Sequence, residues 1–235
     1  MLRRGLVAAL AMAVLLPGAA RCADTEAYRK ARQRMVRYQI QDRGVRDPGV
    51  LEAMRAVPRH EFVPERYRDQ AYEDHPVPIG LGQTISQPYI VAFMTELLEL
   101  EPGDTVFELG TGSGYQAAVA SEVAGSVYTM EIYRELADAA LARLKSLGFG
   151  NVHARHGDGY YGWKEKAPFD AIIVTAAADH IPPPLIEQLS PGGRLVIPLG
   201  SPFSIQQLVL VTKDREGKVS ERAIIAVRFV PLLGH

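Results

Sequence analysis

The central part of the sequence contains a turn with three glycines that follows an apolar run. The segment reads Val106-Phe-Glu-Leu-Gly110-Thr-Gly112-Ser-Gly114-Tyr-Gln116. Glycines let the backbone approach a bound molecule closely, and the first such turn of a doubly wound sheet lies beside the nucleotide position. The spacing Gly110-x-Gly112-x-Gly114 departs from the Gly-x-Gly-x-x-Gly that holds a dinucleotide pyrophosphate. Because Glu108 precedes the turn, we expect a negative group that disfavours a phosphate and favours a cationic ligand.

Two further acids follow later strands of the predicted sheet. Glu131 stands 21 residues after Gly110, at the usual place for a carboxylate that accepts hydrogen bonds from both ribose hydroxyls. Asp158, between Gly157 and Gly159, follows the next strand, where an aspartate can accept from the adenine amino group. The alternative to a ribose contact is that Glu131 is only an exposed acid at a strand end. The alternative to an adenine contact is that Asp158-Gly159 forms only a turn, since Asp-Gly is common in turns.

These three places together predict a site for an adenosine without phosphates. The chain also lacks the Gly-x-x-x-x-Gly-Lys-Ser/Thr segment of nucleotide triphosphatases. S-adenosylmethionine, a cationic sulfonium attached to adenosine, is therefore the predicted cofactor.

The elements that must position these residues alternate regularly after Pro88. The predicted strands are 105–109, 127–131, 152–155, 169–175 and 194–198. The predicted helices are 88–100, one that follows the glycine turn and ends near 123, 133–147 and 184–189. Such alternation implies a parallel sheet covered on both faces. Two β-rich runs, 207–212 and 223–230, then form a hairpin around a polar turn. The fold prediction is α/β, a Rossmann-like doubly wound and mostly parallel sheet with a C-terminal antiparallel hairpin.

Residues 24–235 are predicted to form one domain, with an N-terminal lobe over 24–88 and the cofactor-binding core and hairpin over 89–235. Residues 24–54 predict two short helices separated near Gly44. Residues 57–88 are rich in Pro, Tyr and His and predict an irregular lobe with a few short elements. Ser86 is a candidate N-cap for the helix that begins near Pro88.

Composition excludes several classes of protein. The chain has 235 residues, a formal net charge of −1 and one cysteine, Cys22. It has no basic patch, which argues against a nucleic-acid binder, and a single cysteine excludes an internal disulfide framework. The spacing of the histidines does not suggest a metal site, so no metal is predicted and the histidines are interpreted as surface or loop residues. A monomer is the default expectation.

Residues 1–23 resemble a cleaved export signal. Arg3 and Arg4 precede an apolar stretch over 6–16, and small residues follow at Ala19 and Ala20. The stretch is shorter than the roughly 20 apolar residues that a membrane span needs. We therefore expect a periplasmic or secreted protein without stable membrane association after removal of the signal.

Several segments resemble the protein-L-isoaspartate O-methyltransferase family, from about Met35 to the C-terminus. These segments are 54–64 (MRAVPRHEFVP), 82–88 (GQTISQP), 108–116 (ELGTGSGYQ), 157–159 (GDG), 169–174 (FDAIIV), 189–193 (LSPGG) and 227–232 (VRFVPL). The glycine and acid motifs occur in many methyltransferases, whereas Gln-Thr-Ile-Ser-Gln-Pro is specific to this family. The family resemblance, together with cofactor synthesis in the cytoplasm, implies a cytoplasmic protein, in contrast to the export prediction.

The resemblance implies methyl transfer from S-adenosylmethionine to the free α-carboxylate of L-isoaspartyl residues, extending to D-aspartyl residues, in damaged peptides and proteins. The methyl ester then permits succinimide closure and return to normal aspartate, which is a repair function. The resemblance also implies that Ser86 is the catalytic residue. The remaining implied contacts are Thr84 and Ile85 for the cofactor, in addition to the glycines and acids above, and Gln83, Ser86, Val230 and Pro231 for the substrate.

Two alternatives remain open from the sequence. One is an S-adenosylmethionine-dependent methyltransferase of another small carboxylate or hydroxyl acceptor. The other is an exported binding module that has the fold without catalysis. Loss of Glu108, Glu131 or Asp158 would favour the binding module, and all three acids are present.

Overall fold

The computed structural model describes residues 24–201 and 204–234. The predicted export signal and Cys22 lie outside these described residues. Within the described part of the chain, no helix is long and apolar enough to cross a membrane.

The N-terminal lobe begins with two helical segments. In order they are α1 (Glu26–Arg34), a π-helical continuation (Met35–Ile40), a 3-10 turn (Gln41–Arg43) and α2 (Pro48–Ala56). The side chain of Thr25 caps α1 by accepting from the amide of Tyr28 at 3.3 Å. Asp47 caps α2 in the same way, accepting from Val50 at 2.8 Å. The first segment ends at Gly44, whose φ of 108° is left-handed, so the predicted separation near Gly44 is confirmed.

The rest of the lobe has only short elements before the next helix, as predicted. They are 3-10 turns at Arg59–Phe62 and Glu65–Gln70 and an antiparallel pair of strands, β1 (Val77–Gly80) and β2 (Gln83–Ile85). The next helix is α3 (Pro88–Leu97). The prediction that Ser86 caps α3 is wrong, because Pro88 is the first helical residue and Gln87 takes the cap position without a side-chain bond. The helix also ends at Leu97, before the predicted residue 100. His60 is fully buried, which corrects its interpretation as a surface residue.

The core alternates strands and helices as predicted. Its elements are β3 (Thr105–Leu109), α4 (Tyr115–Ser121), β4 (Ser126–Glu131), α5 (Arg134–Leu147), β5 (Val152–His156), β6 (Phe169–Val174), α6 (Pro183–Gln188), β7 (Leu189–Leu199), β8 (Gln206–Lys213) and β9 (Val219–Val227). The sheet order is β5-β4-β3-β6-β7-β8-β9. The first five strands are parallel, and β8 and β9 are antiparallel. The predicted α/β sheet and C-terminal hairpin are therefore confirmed.

Both faces of this sheet are covered by apolar side chains. On β3, Val106 packs into the layer that includes α3 and α4, whereas Phe107 packs into the opposite layer. Phe107 and Phe169 are fully buried there, with ring centroids 5.2 Å apart. Because the chain runs from β3 outward to β4 and β5 and then returns to β6, the carboxyl ends of β3 and β6 are neighbours at the point where the strand order reverses. Ligands bind at such a point in open α/β sheets.

Candidate functional site

The glycine turn after β3 is held against the ends of two neighbouring strands. The amides of Gly110 and Thr111 donate to the carbonyl of Met130 at 2.8 and 3.3 Å. On the other side, the hydroxyl of Thr175 donates to the carbonyl of Gly110, with Oγ1 2.7 Å from that oxygen. Gly110 has a φ of 97°, and a Cβ there would lie 2.4 Å from Thr175 Oγ1. The turn thus needs glycine at position 110 for both conformation and space.

Glu131 connects the glycine turn to the end of β4. Its carboxylate accepts from the amide of Gly112 at 2.8 Å and from the amide of Tyr133 at 3.0 Å. The residue is only 5 % exposed. Because a carboxylate has about four acceptor positions, Glu131 can also accept bonds from the hydroxyls of a ligand.

A cavity with an empty volume of about 740 Å³, which includes space open to solvent, lies over the glycine turn. We call it the glycine-loop cavity. Its wall consists of 83–86, Val91, 109–113, Tyr115, Gln116, 130–133, Gly159, Thr175, Ala176 and 230–233. Among the described residues, Glu131 is the only charged one on this wall. The cavity therefore fits a cationic ligand such as a sulfonium with an amino-acid ammonium group, and it offers no cation to a phosphate.

Most of the predicted site residues lie on this wall. Of the predicted cofactor contacts, the wall includes Thr84, Ile85, Gly110, Gly112 and Glu131. Of the predicted substrate contacts, it includes Gln83, Ser86, Val230 and Pro231. The structure therefore brings together segments that are more than 140 residues apart in the sequence.

Glu108 requires a correction, because it does not present a negative charge at the cavity surface. Its side chain is fully buried in β3, and burial raises the pKa of Glu108 to about 8. The hydroxyl of Thr129 donates to one oxygen of Glu108 and lies 2.6 Å from the hydroxyl of Thr111, which is on the cavity wall. Glu108 is thus two hydrogen bonds away from the cavity. A cofactor role for it remains a prediction and would act through this chain of hydroxyls.

Two other predicted cofactor residues, Gly114 and Gly157, do not line the cavity. Gly114, with a φ of 86°, packs on α5, where a Cβ would lie 3.2 Å from Leu144 Cδ1. Gly157 packs on Met130, and it is Gly159 that lines the cavity.

Asp158, the predicted adenine partner, accepts from the amide of Tyr160 at 3.0 Å. A Cβ at Gly234 would lie 2.4 Å from Asp158 Oδ2, so the C-terminal segment packs against this acid. The predicted contact between Asp158 and the adenine amino group stays a prediction.

A second cavity, which we call the outer cavity, adjoins the first. It is lined by Arg43, Pro76, Thr84, 86–87, 89–90, Thr175, Ile205 and 225–230. The two cavities share four residues, namely Thr84, Ser86, Thr175 and Val230. We call these four the shared wall. A group that moves from one cavity to the other passes these residues, none of which has a titratable side chain.

The segment that contains Ser86 is anchored by a buried cation. Arg59 is fully buried, and its guanidinium donates to the carbonyl of Ser86 at 2.8 Å and to the carbonyl of Ala71 at 2.7 Å. Burial lowers the pKa of Arg59 to about 10, so the group is still charged at neutral pH. Arg59 also lies 4.8 Å from the ring centroid of Tyr115, which lines the glycine-loop cavity. It therefore fixes the backbone at one edge of the shared wall.

Sequence reasoning missed several residues of the site. Thr175 directly follows β6, and the rule that ligands lie beyond the carboxyl ends of parallel strands could have identified it. Arg43 follows no motif of known chemistry. Arg59 and Arg228 lie within the family-like segments 54–64 and 227–232, but no role was predicted for either. Leu233, on the wall near the C-terminus, was also missed.

The sheet order and the cavity beyond β3 and β4 define a class I methyltransferase of Rossmann-like fold, a class that uses S-adenosylmethionine. A sequence model of the protein-L-isoaspartate(D-aspartate) O-methyltransferase family matches residues 30–235. The chain belongs to this family.

Individual relatives agree with this assignment. Protein-L-isoaspartate O-methyltransferase 2 of Syntrophobacter fumaroxidans is 55 % identical over 234 residues, covering 96 % of this chain and 94 % of the relative. Protein-L-isoaspartate O-methyltransferase 1 of Nitrosospira multiformis is 59 % identical over 209 residues, covering 88 % and 89 %. A solved structure from Plasmodium falciparum, described as a protein-L-isoaspartate O-methyltransferase in complex with S-adenosyl-L-homocysteine, is 26 % identical with a TM-score of 0.73, covering 88 % of this chain and 98 % of that one.

The close approach at Gly110 predicts a specific loss of cofactor binding. In Gly110→Ala, the new Cβ must displace Thr175, so we expect affinity for S-adenosylmethionine, measured by calorimetry, to fall at least about tenfold. Gly148→Ala is the matched control, because Gly148 has a similar φ of 90° with nothing within 4 Å of its Cβ position. Both variants should lose about 1–2 kcal/mol of folding stability from the left-handed backbone. Equal cofactor affinity in the two variants would contradict the role assigned to this contact.

The raised pKa of Glu108 predicts how stability depends on pH. The unfolded chain releases this proton near its ordinary pKa of 4.5, whereas the folded chain retains it to about pH 8. The contribution of Glu108 to stability is therefore present below pH 4.5 and is lost as pH rises to 8. Relative to wild type, Glu108→Gln should become more stable by on the order of a few kcal/mol between pH 5 and pH 8.

The measurement is urea denaturation of both proteins across this pH range. Glu187→Gln, which changes an exposed acid, is the control and should show no such trend. If the stability difference between Glu108→Gln and wild type did not change with pH, the raised pKa would be incorrect.

Proposed function

We propose that the chain transfers the methyl group of S-adenosylmethionine to the free α-carboxylate of L-isoaspartyl residues, and of D-aspartyl residues, in damaged peptides and proteins. The backbone nitrogen of the following residue then attacks the ester and expels methanol, which gives a succinimide that water opens to aspartate. The observation that carries this proposal is the opposite charge of the two adjoining cavities. Glu131 is the only charged residue described on the wall of the glycine-loop cavity. Arg43 and Arg228 are the only charged residues described on the wall of the outer cavity. This arrangement suits a cationic donor in one cavity and an anionic acceptor in the other.

Different residues of the glycine-loop cavity bind different parts of the cofactor. Glu131 is positioned to accept from the ribose hydroxyls, and Gly110 and Gly112 leave space for close approach of the ligand to the backbone. Thr84 and Ile85 lie on the same wall, and Thr84 also lines the outer cavity. When bound, S-adenosylmethionine supplies a methyl group on a sulfonium, which an ionised carboxylate can accept without loss of a proton.

The shared wall needs no general base for this reaction. An α-carboxylate has an ordinary pKa of about 3.5 and is ionised at neutral pH. The hydroxyls of Thr84 and Ser86 make no hydrogen bond to other residues of the described part of the chain and can donate to this carboxylate. The hydroxyl of Thr175 already donates to the backbone after β3. The chain therefore accelerates the reaction through alignment of the two groups and exclusion of water.

The test is methyl transfer from radiolabelled S-adenosylmethionine to matched peptides that contain either isoaspartate or aspartate. We expect base-labile label on the isoaspartyl peptide only. Ser86→Ala should lower kcat/KM for that peptide about tenfold, the value of one hydrogen bond to a charged group, with little change in cofactor affinity. Ser220→Ala, an exposed substitution on β9 that lines neither cavity, is the control and should retain full activity.

Other outcomes separate the competing functions. Label on another small carboxylate or an alcohol, with isoaspartyl peptides inert, would identify a different acceptor. Cofactor binding by calorimetry without transfer to any acceptor would identify a binding module. Either result would overturn the proposed repair activity.

We also propose that the protein is exported, on the basis of the basic pair Arg3-Arg4 and the apolar stretch 6–16. Fractionation of cells that express the full chain should place the protein in the periplasm or medium, with a mature N-terminus near residue 24. Arg3→Glu together with Arg4→Glu should retain it in the cytoplasm. An uncleaved wild-type protein in the cytoplasm would contradict export and would match the compartment where the cofactor is made.

A further inference from the structure

Arg228 is a cation at the edge of the outer cavity. Its side chain is exposed and lines the outer cavity. Within residues 24–201 and 204–234, it makes no side-chain hydrogen bond or ion pair. It precedes Val230 of the shared wall by two residues, which span at most about 7 Å of chain. The backbone of Arg228 is therefore close to the shared wall, although Arg228 is not part of it.

The charge of Arg43, the other cation on the wall of the outer cavity, is balanced by a neighbouring acid. Arg43 forms an ion pair with Asp74 at 3.1 Å, and its guanidinium lies 3.8 Å from the ring centroid of Tyr89. Asp74 also accepts from the side chain of Gln87 at 2.8 Å. Since no acidic residue lines the outer cavity among the described residues, Arg228 supplies its uncompensated charge.

We infer that Arg228 is a specificity-determining residue that binds a second carboxylate of the substrate, so that the protein prefers isoaspartyl peptides with an acidic residue one or two positions from the isoaspartate. This inference rests on the proposed function. An exposed guanidinium on a flexible stem can reach a neighbouring side chain of an extended peptide. Ion pairs of this exposed type are weak and are screened by salt.

The test compares isoaspartyl peptides with glutamate, glutamine or lysine at the positions on either side of the isoaspartate. At about 0.02 M salt we expect kcat/KM to be about two- to fivefold higher for glutamate than for glutamine, and lower again for lysine. At about 0.5 M salt the difference should largely disappear because the charges are screened. The effect should appear mainly in KM, since Arg228 does not contact the reacting carboxylate.

Arg228→Glu should reverse the preference, so that lysine-flanked peptides become the better substrates, and Arg228→Gln should abolish it. Arg222→Glu is the matched control because it makes the same change of net charge on the neighbouring exposed strand β9 and does not line the outer cavity. Arg222→Glu should leave the preference intact. Cofactor affinity should be unchanged in all three variants.

Each outcome is distinguishable from failure of the proposed function. If no isoaspartyl peptide is methylated, the proposed function fails. If all peptides are methylated equally regardless of flanking charge, only the role of Arg228 is overturned. An equal loss of kcat/KM for every peptide in Arg228→Gln would show that Arg228 binds the reacting carboxylate instead, which also contradicts the inference.

Discussion

The contact between Thr175 and the backbone at the end of β3 is the constraint on which the site depends. The amide of Thr175 donates to the carbonyl of Leu109 at 2.9 Å, and its hydroxyl donates to the carbonyl of Gly110 at 2.7 Å. These bonds hold the carboxyl ends of β3 and β6 together where the strand order reverses. Gly110 has no side chain to separate the strands, so Thr175 can face both cavities. Without this close approach, Thr175 would not be held in place on the wall of both cavities.

The local parts of the site could be predicted because their signals lie within a few residues. Strand ends, the glycine turn and Glu131 follow from periodicity and spacing along the chain. Glu108 shows where this reasoning fails. A strand that is covered on both faces buries every side chain in turn, so an acid just before the turn is buried as well. Its chemistry is decided by desolvation, which the sequence pattern does not display.

The outer cavity could not be predicted in the same way because its parts come from distant segments. Arg43 is the last residue of the first helical segment, and Arg228 follows the last strand. Each is an ordinary surface cation in its own stretch of sequence. They become parts of one cavity only after β8 and β9 add to the sheet beside β7 and the lobe packs over its edge. Arg59 is similar, since nothing local indicates that its guanidinium is buried under the carbonyl of Ser86.

The distribution of charge around the shared wall follows from the chemistry of the proposed transfer. A sulfonium and a carboxylate lose their opposite charges as the methyl group moves, so a strong fixed charge beside the reacting atoms would stabilise the separated reactants more than the transition state. The fixed charges of the described residues lie on the remaining walls: Glu131 in one cavity, Arg43 and Arg228 in the other. There they can attract each reactant to its own side. The reacting centre is left with neutral hydroxyls and backbone, which orient the groups while allowing the charges to cancel.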